Sequence, residues 1–128
     1  LLQCPKTGQP LKIYMQRGDI GALPLPDGSV DVLLTMNGYH AFPEKEKALR
    51  EMARVAKRGG TVPGCSYIKD QRKLTDFVIS HIYKQSGSFT PPFYDFAGMK
   101  EQWDPYFEFE EYDNVNSIVY FSGRRRNI

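Results

Sequence analysis

A chain of 128 residues, 41% apolar and 25% charged, has material for one packed core and not for two, and this balance excludes a disordered polyelectrolyte. Seventeen basic against fifteen acidic residues leave a net charge of +2, too little to draw in nucleic acid by bulk charge. Two cysteines far apart make no disulfide framework, there is no signal-like leader, and no apolar run approaches the roughly 18 residues a membrane helix needs, so a soluble cytoplasmic protein is expected.

Residues 1–14 read as a turn-rich, proline-punctuated N-terminal arm, and 15–128 as one domain. Cys4-Pro5 is similar to half of a zinc knuckle, but Thr7 stands where a second thiolate would be. Cys65, His40 and His81 fall on elements not expected to converge, so no metal site is predicted. A short β-rich stretch over 11–16 predicts a strand leading to Gly18, which puts Asp19 just past a strand end, where open parallel sheets bind ligands. A carboxylate there can also satisfy its own turn.

The two prolines of 23–29 forbid continuous helix and predict a tight loop closed by Asp27-Gly28. Residues 30–36 form a near-continuous apolar run, the pattern of a central parallel strand covered on both faces. Asn37-Gly38-Tyr39-His40 follow its carboxyl end, and Gly38 permits close approach of a ligand to the backbone. His40 reads either as a substrate-orienting or general-base histidine or as a packed one.

Helical spacing of Ala48, Leu49, Met52, Val55 and Ala56 predicts a helix over 43–58, its charges on the other faces, Lys57-Arg58 at its carboxyl end and Gly59-Gly60 as its stop. A strand over 61–68 should return parallel through a right-handed crossover, with Pro63 marking a bulge or a weakened end. A second helix is predicted over 73–85, a Pro- and aromatic-rich connection over 86–95, a short helix over 97–103, and an antiparallel hairpin of strands 106–112 and 117–124. Arg124, Arg125 and Arg126 read as a solubilising basic tail.

Taken in order, Gly18-Asp19, the run Leu23 to Ser29, Asp31 to Leu34, Asn37 to Phe42, Ala48 to Glu51 and Lys57 to Gly60 closely resemble the middle of class I S-adenosylmethionine-dependent methyltransferases of the type-11 group. The resemblance implies an α/β, Rossmann-like sheet, mostly parallel with an antiparallel closing hairpin, of which the N-terminal part is missing. Neither the Gly-rich turn after the first strand nor the acidic residue after the second is visible.

The resemblance further implies S-adenosylmethionine as cofactor. Asp19 would accept from the adenine amine and the Ile20 N–H would donate to a ring nitrogen, while Asn37 and Gly38 would meet the methionine portion. Leu23 and Leu25 would either wall the adenine or anchor their loop. Tyr39 and His40 are the candidates facing the methyl group or the acceptor, with Ser66, Tyr67 and the aromatics of 86–95 bordering the substrate. A small-molecule acceptor is expected. The rivals are a non-catalytic binding domain, and an RNA-modifying enzyme using Lys57, Arg58 and the three C-terminal arginines; no membrane partner is expected.

Overall fold

The computed structural model describes residues 6–9, 13–81 and 89–127. Cys4, residues 82–88 of the predicted second helix and connection, and most of the predicted arm lie outside them. In chain order the elements are β1 (Val30–Val32), β2 (Thr35–Met36), a 3-10 turn (Tyr39–Ala41), α1 (Lys45–Val55), β3 (Ala56–Tyr67), α2 (Lys73–His81), α3 (Phe96–Trp103), β4 (Phe107–Val115) and β5 (Ile118–Arg125).

They build a mixed α/β sheet in the order β1-β3-β5-β4, with β2 continuing the β1 edge alongside β3. β1 and β2 run parallel to β3, whereas β3–β5 and β4–β5 are antiparallel. The parallel part leading into a closing hairpin is the architecture the sequence implies. β4 and β5 are joined through Asn116 and Ser117, and Asn116 takes φ 52°, a conformation asparagine tolerates. The hairpin is therefore tighter than predicted, since 113–115 belong to β4 and not to its connection.

Three expectations need correction. Residues 13–16, the described part of the strand predicted over 11–16, are exposed, and their backbone pairs with no strand among the described residues. Among the described residues the run 30–36 lies at the sheet's edge, where Val32, Leu34 and Met36, at period two on one face, are 60%, 64% and 66% exposed. Thr35 is buried and Leu33 half-buried on the opposite face. Apolarity on both faces thus records two surfaces, of which the described residues cover one.

The third correction concerns α1, which ends at Val55 and not at Arg58. Ala56 already pairs with Val30, so strand replaces the last helical turn, and Lys57 meets Asp31 across the sheet at 2.8 Å. Gly59 and Gly60 serve an irregularity inside β3: Val32 lies two positions after Val30, whereas its partner Thr61 lies five positions after Ala56. Gly59 takes φ 73°, and a Cβ on Gly60 would lie 2.7 Å from the Lys57 carbonyl oxygen.

Pro63 lies in β3 with Ser122 as its antiparallel neighbour. On the parallel side the register places it opposite Leu34, in the interruption between β1 and β2. The ladder weakens where a proline has no N–H to donate.

The core lies between the sheet and α1 and α3. From α1 it takes Ala48, Leu49, Met52, Ala53 and Val55; from β3 and β5 it takes Val62, Val119 and Phe121. Trp103, at the end of α3, is fully buried among Tyr39, Phe107, Phe109 and Phe121, with ring centroids 4.9–5.7 Å away. Asp95 caps α3 by accepting from the Gly98 N–H at 2.7 Å.

Candidate functional site

Two turns carry the residues singled out from the sequence. In the first, the Asp19 carbonyl accepts from the Ala22 N–H at 2.9 Å, and Asp19 Oδ1 accepts from the Gly21 N–H at 2.8 Å. This is an Asx-type turn, in which the side chain braces its own backbone. Among the described residues, Asp19 Oδ2 and the Ile20 N–H have no hydrogen-bond partner within the chain. The Asp19 side chain is exposed, and the half-buried Ile20 side chain packs against the core cluster. An unpaired carboxylate oxygen beside an unpaired amide is a donor–acceptor edge that fits an aminated heterocycle such as adenine.

The proline loop behind this turn is held by α1. Arg54 donates through Nη1 to the Leu25 carbonyl at 2.8 Å and to Asp27 Oδ1 at 2.7 Å, and through Nη2 to the Leu23 carbonyl at 2.9 Å. Glu51 accepts from the Leu23 N–H at 2.7 Å and from Arg54 Nε at 2.8 Å. The Arg54 hydrogen bonds, and then the Leu23 amide, hold the Glu51 carboxyl below its ordinary range. The loop's carbonyls and amides thus find partners on a helix rather than on a strand. Leu25 remains exposed and Leu23 half-buried.

The second turn follows β2. Asn37 takes φ 55°, its N–H donates to the Cys65 carbonyl at 2.9 Å, and its side chain is exposed. Gly38 opens the 3-10 turn; a Cβ there would come within 3.2 Å of the Phe42 ring and 3.3 Å of Thr35 Oγ1. Tyr39 then points into the core. It packs edge-on to Trp103 at 5.4 Å and stacks with Tyr94 at 6.4 Å, and its buried hydroxyl lacks a hydrogen bond of ordinary geometry. Burial pushes the phenol well above its usual 10.

His40 is buried, with its ring stacked on Phe89 at 4.5 Å. Its Nδ1 accepts from the Tyr67 N–H at 3.0 Å, which fixes the proton of the neutral ring on Nε2. Burial, and secondarily the charge of Lys45, lowers its pKa to about 4. In this tautomer His40 can donate from Nε2, but neither nitrogen has a free lone pair with which to act as a base.

A histidine depressed in the folded state binds its proton first in the unfolded chain, so its contribution to stability is lost as pH falls from 6.5 towards 4. Urea unfolding across that window should show falling stability in the wild type and a flatter profile in His40→Asn, which keeps an acceptor near the Nδ1 position. Equal slopes would contradict the assignment.

Lys45, assigned from sequence to the polar side of α1, is instead buried. Its ammonium donates to the Phe42 carbonyl at 3.3 Å and to the Thr90 carbonyl, and lies about 6 Å from the Tyr39 and Phe93 ring centres. Burial lowers its pKa to about 8. Thr90 also donates its N–H to the His40 carbonyl at 2.9 Å and its hydroxyl to the Ala41 carbonyl at 3.1 Å. Together these bonds strap the segment after residue 88 onto the 3-10 turn. The available signal was spacing: Lys45 stands four before Leu49 and seven before Met52, on the same stripe.

A hollow of about 740 Å³ opens where Asn37, His40, Tyr67 and Phe89 meet α2 and the β4–β5 turn. Tyr67 is anchored by its hydroxyl, which donates to Asp76 at 2.5 Å. Ser66, also expected to border a substrate, is instead fully buried. The structure therefore brings Asn37, His40 and Tyr67 to one cavity. Ile20 lines a different, smaller hollow of about 230 Å³ with Gly18 and Leu23, and Tyr39 belongs to the core.

His81 is exposed and stacked on Phe77. Among the described residues no group of histidine, cysteine or acidic side chains could hold a metal ion, and no helix is long and apolar enough to cross a membrane. The basic tail is tied down: Arg124 pairs with Glu110, Arg125 donates to the Ala56 carbonyl, and Arg126 pairs with Asp104 at 2.7 Å.

A family model described as a methyltransferase domain matches residues 2–62. The uncharacterized methyltransferase YcgJ of Bacillus subtilis is 30% identical over 70 residues, which are 55% of this chain and 28% of that protein. Ajmaline N-methyltransferase of Rauvolfia serpentina is 37% identical over 57 residues, 44% of this chain and 20% of that one. Among solved structures, a Thermotoga maritima SAM-dependent methyltransferase, possible histamine N-methyltransferase, superposes with a TM-score of 0.72 at 18% identity, over 94% of this chain and 66% of that chain. The chain thus spans between a fifth and under a third of the lengths of these two curated relatives.

Proposed function

We propose that the chain is part of a class I S-adenosylmethionine-dependent methyltransferase, and that the intact protein transfers a methyl group from S-adenosylmethionine to a small-molecule acceptor. In this reading Asp19 Oδ2 accepts from the adenine amine and the Ile20 N–H donates to a ring nitrogen. Asn37 and Gly38 hold the methionine portion. When bound, the cofactor supplies a methyl on a sulfonium sulfur: the acceptor's lone pair forms the new bond to carbon, the S–C pair stays on sulfur, and any proton on the attacking atom goes to water. The chain's own residues orient the two partners, which is where most of the protein's contribution to such a reaction lies.

The observation that carries the reading is the exposed, left-handed Asn37 at the carboxyl end of β2, on the rim of a cavity large enough for one small molecule. His40 enters as a positioning donor through Nε2–H and not as a base. The ion pairs of Arg124 with Glu110 and of Arg126 with Asp104 favour a small acceptor over RNA, because guanidinium groups already paired with carboxylates release few counterions on meeting phosphates.

Calorimetric titration of S-adenosylmethionine into the intact protein tests the assignment. Saturable binding is expected, weakened about tenfold or more in Asp19→Ala, the scale of a lost hydrogen bond to a charged group. Undiminished binding by the variant, or none by the wild type, would overturn it.

A further inference from the structure

The 740 Å³ cavity carries more information than its size. Its apolar wall comes from two elements remote in sequence: Leu74, Val78 and Ile79 on α2, and Val115 and Ile118 flanking the β4–β5 turn. Leu74 and Val115 are 69% and 61% exposed, so the wall holds apolar surface that a ligand would remove from water.

Among the described residues of the lining there is one charged side chain, Arg72. Among the described residues it makes no ion pair and no side-chain hydrogen bond, whereas Arg50, Arg54, Arg124 and Arg126 each pair with a carboxylate. No Asp or Glu among the described residues lines the cavity to neutralise it. A planar guanidinium with five donors and no internal acceptor, beside an apolar wall, matches a carboxylate carried on an apolar body.

We propose that the methyl acceptor is a small apolar acid. Its hydrocarbon body lies against the α2 and hairpin side chains, its carboxylate pairs with Arg72, and the reacting atom lies towards Asn37 and His40. This rests on the methyl-transfer reading and specifies the acceptor's class. A nucleic acid would require several cations, and the described residues of this cavity offer one; a neutral or cationic acceptor would leave Arg72 unmatched.

The test uses two isosteric probes, octanoate and octanamide, titrated calorimetrically into the intact protein and into Arg72→Gln, with S-adenosylmethionine titrated into both in parallel. Expected is at least about tenfold tighter binding of the acid, the scale of a charge-assisted bond, and loss of that preference in the variant with cofactor affinity unchanged. Equal affinity for acid and amide, no binding of either, or a preference that survives in Arg72→Gln overturns the proposal. Failure of the cofactor titration in the wild type would instead strike the methyl-transfer reading, and the two failures are separately visible.

Discussion

Replacing Trp103 by alanine is expected to remove about 3–5 kcal/mol of stability, the range for truncating a large buried aromatic. The indole is fully buried, and its four aromatic neighbours come from the 3-10 turn, β4 and β5. Collapse around the cavity would require three separate elements to move together, and close-packed interiors relax only in part. Against a typical domain stability of about 5–15 kcal/mol, such a loss leaves little margin. Because Trp103 is the chain's only tryptophan, the measurement is urea unfolding followed by circular dichroism. Trp103→Phe should cost much less, since it keeps most of the packing and removes a buried Nε1–H that makes no hydrogen bond of ordinary geometry among the described residues. A loss below about 1 kcal/mol in the alanine variant would show that this cluster is not the centre of the core.

Gly64→Ala should damage both the sheet and the Asn37 turn proposed to hold the cofactor. A Cβ at this position would lie 2.1 Å from the Thr35 carbonyl oxygen and 2.8 Å from both Phe121 Cζ and Thr35 Cγ2. The nearest obstacle is backbone, so β2 must move away from β3. That displacement pulls on the bond from the Asn37 N–H to the Cys65 carbonyl, two residues beyond Thr35 on one strand and one beyond Gly64 on the other. Overpacking of this kind costs about 1–3 kcal/mol, and the shift of Asn37 should weaken S-adenosylmethionine binding about tenfold or more. Unfolding and titration on the same variant separate the two effects. Unchanged cofactor affinity in a destabilised variant would detach Asn37 from the cofactor.

What the sequence made legible follows from which forces act locally. The α1 stripe of Ala48, Leu49, Met52 and Val55 and the β4–β5 alternation are read correctly because each element's own period encodes its buried face. Pro63 is read correctly as a weak point because a missing N–H is a property of the residue itself. The errors fall where a distant partner decides. The early end of α1 is set by the pairing of Ala56 with Val30, twenty-six positions away. The run 30–36 looks central because its composition does not say which face the described elements cover.

The site divides in the same way. Asn37 and Gly38 stand at a strand's carboxyl end, as residue type and position imply. The sequence did not reveal that His40 is fixed in one tautomer by the Tyr67 amide, or that Glu51 and Arg54 hold the proline loop. Those bonds join residues 27 to 31 positions apart in sequence. Lys45 was hidden by its residue type, since a lysine on an apolar stripe reads as solvated until the carbonyls around its ammonium are known.

The central claim is that two turns, at Asp19–Ala22 and at Asn37–Tyr39, form the cofactor edge of this domain. Amide hydrogen exchange of the intact protein, with and without S-adenosylmethionine, tests it most directly. The account predicts ligand-dependent protection concentrated in 19–22 and 37–39, with little change along the β4–β5 hairpin. Saturable binding that leaves exchange in both turns unaltered would contradict it.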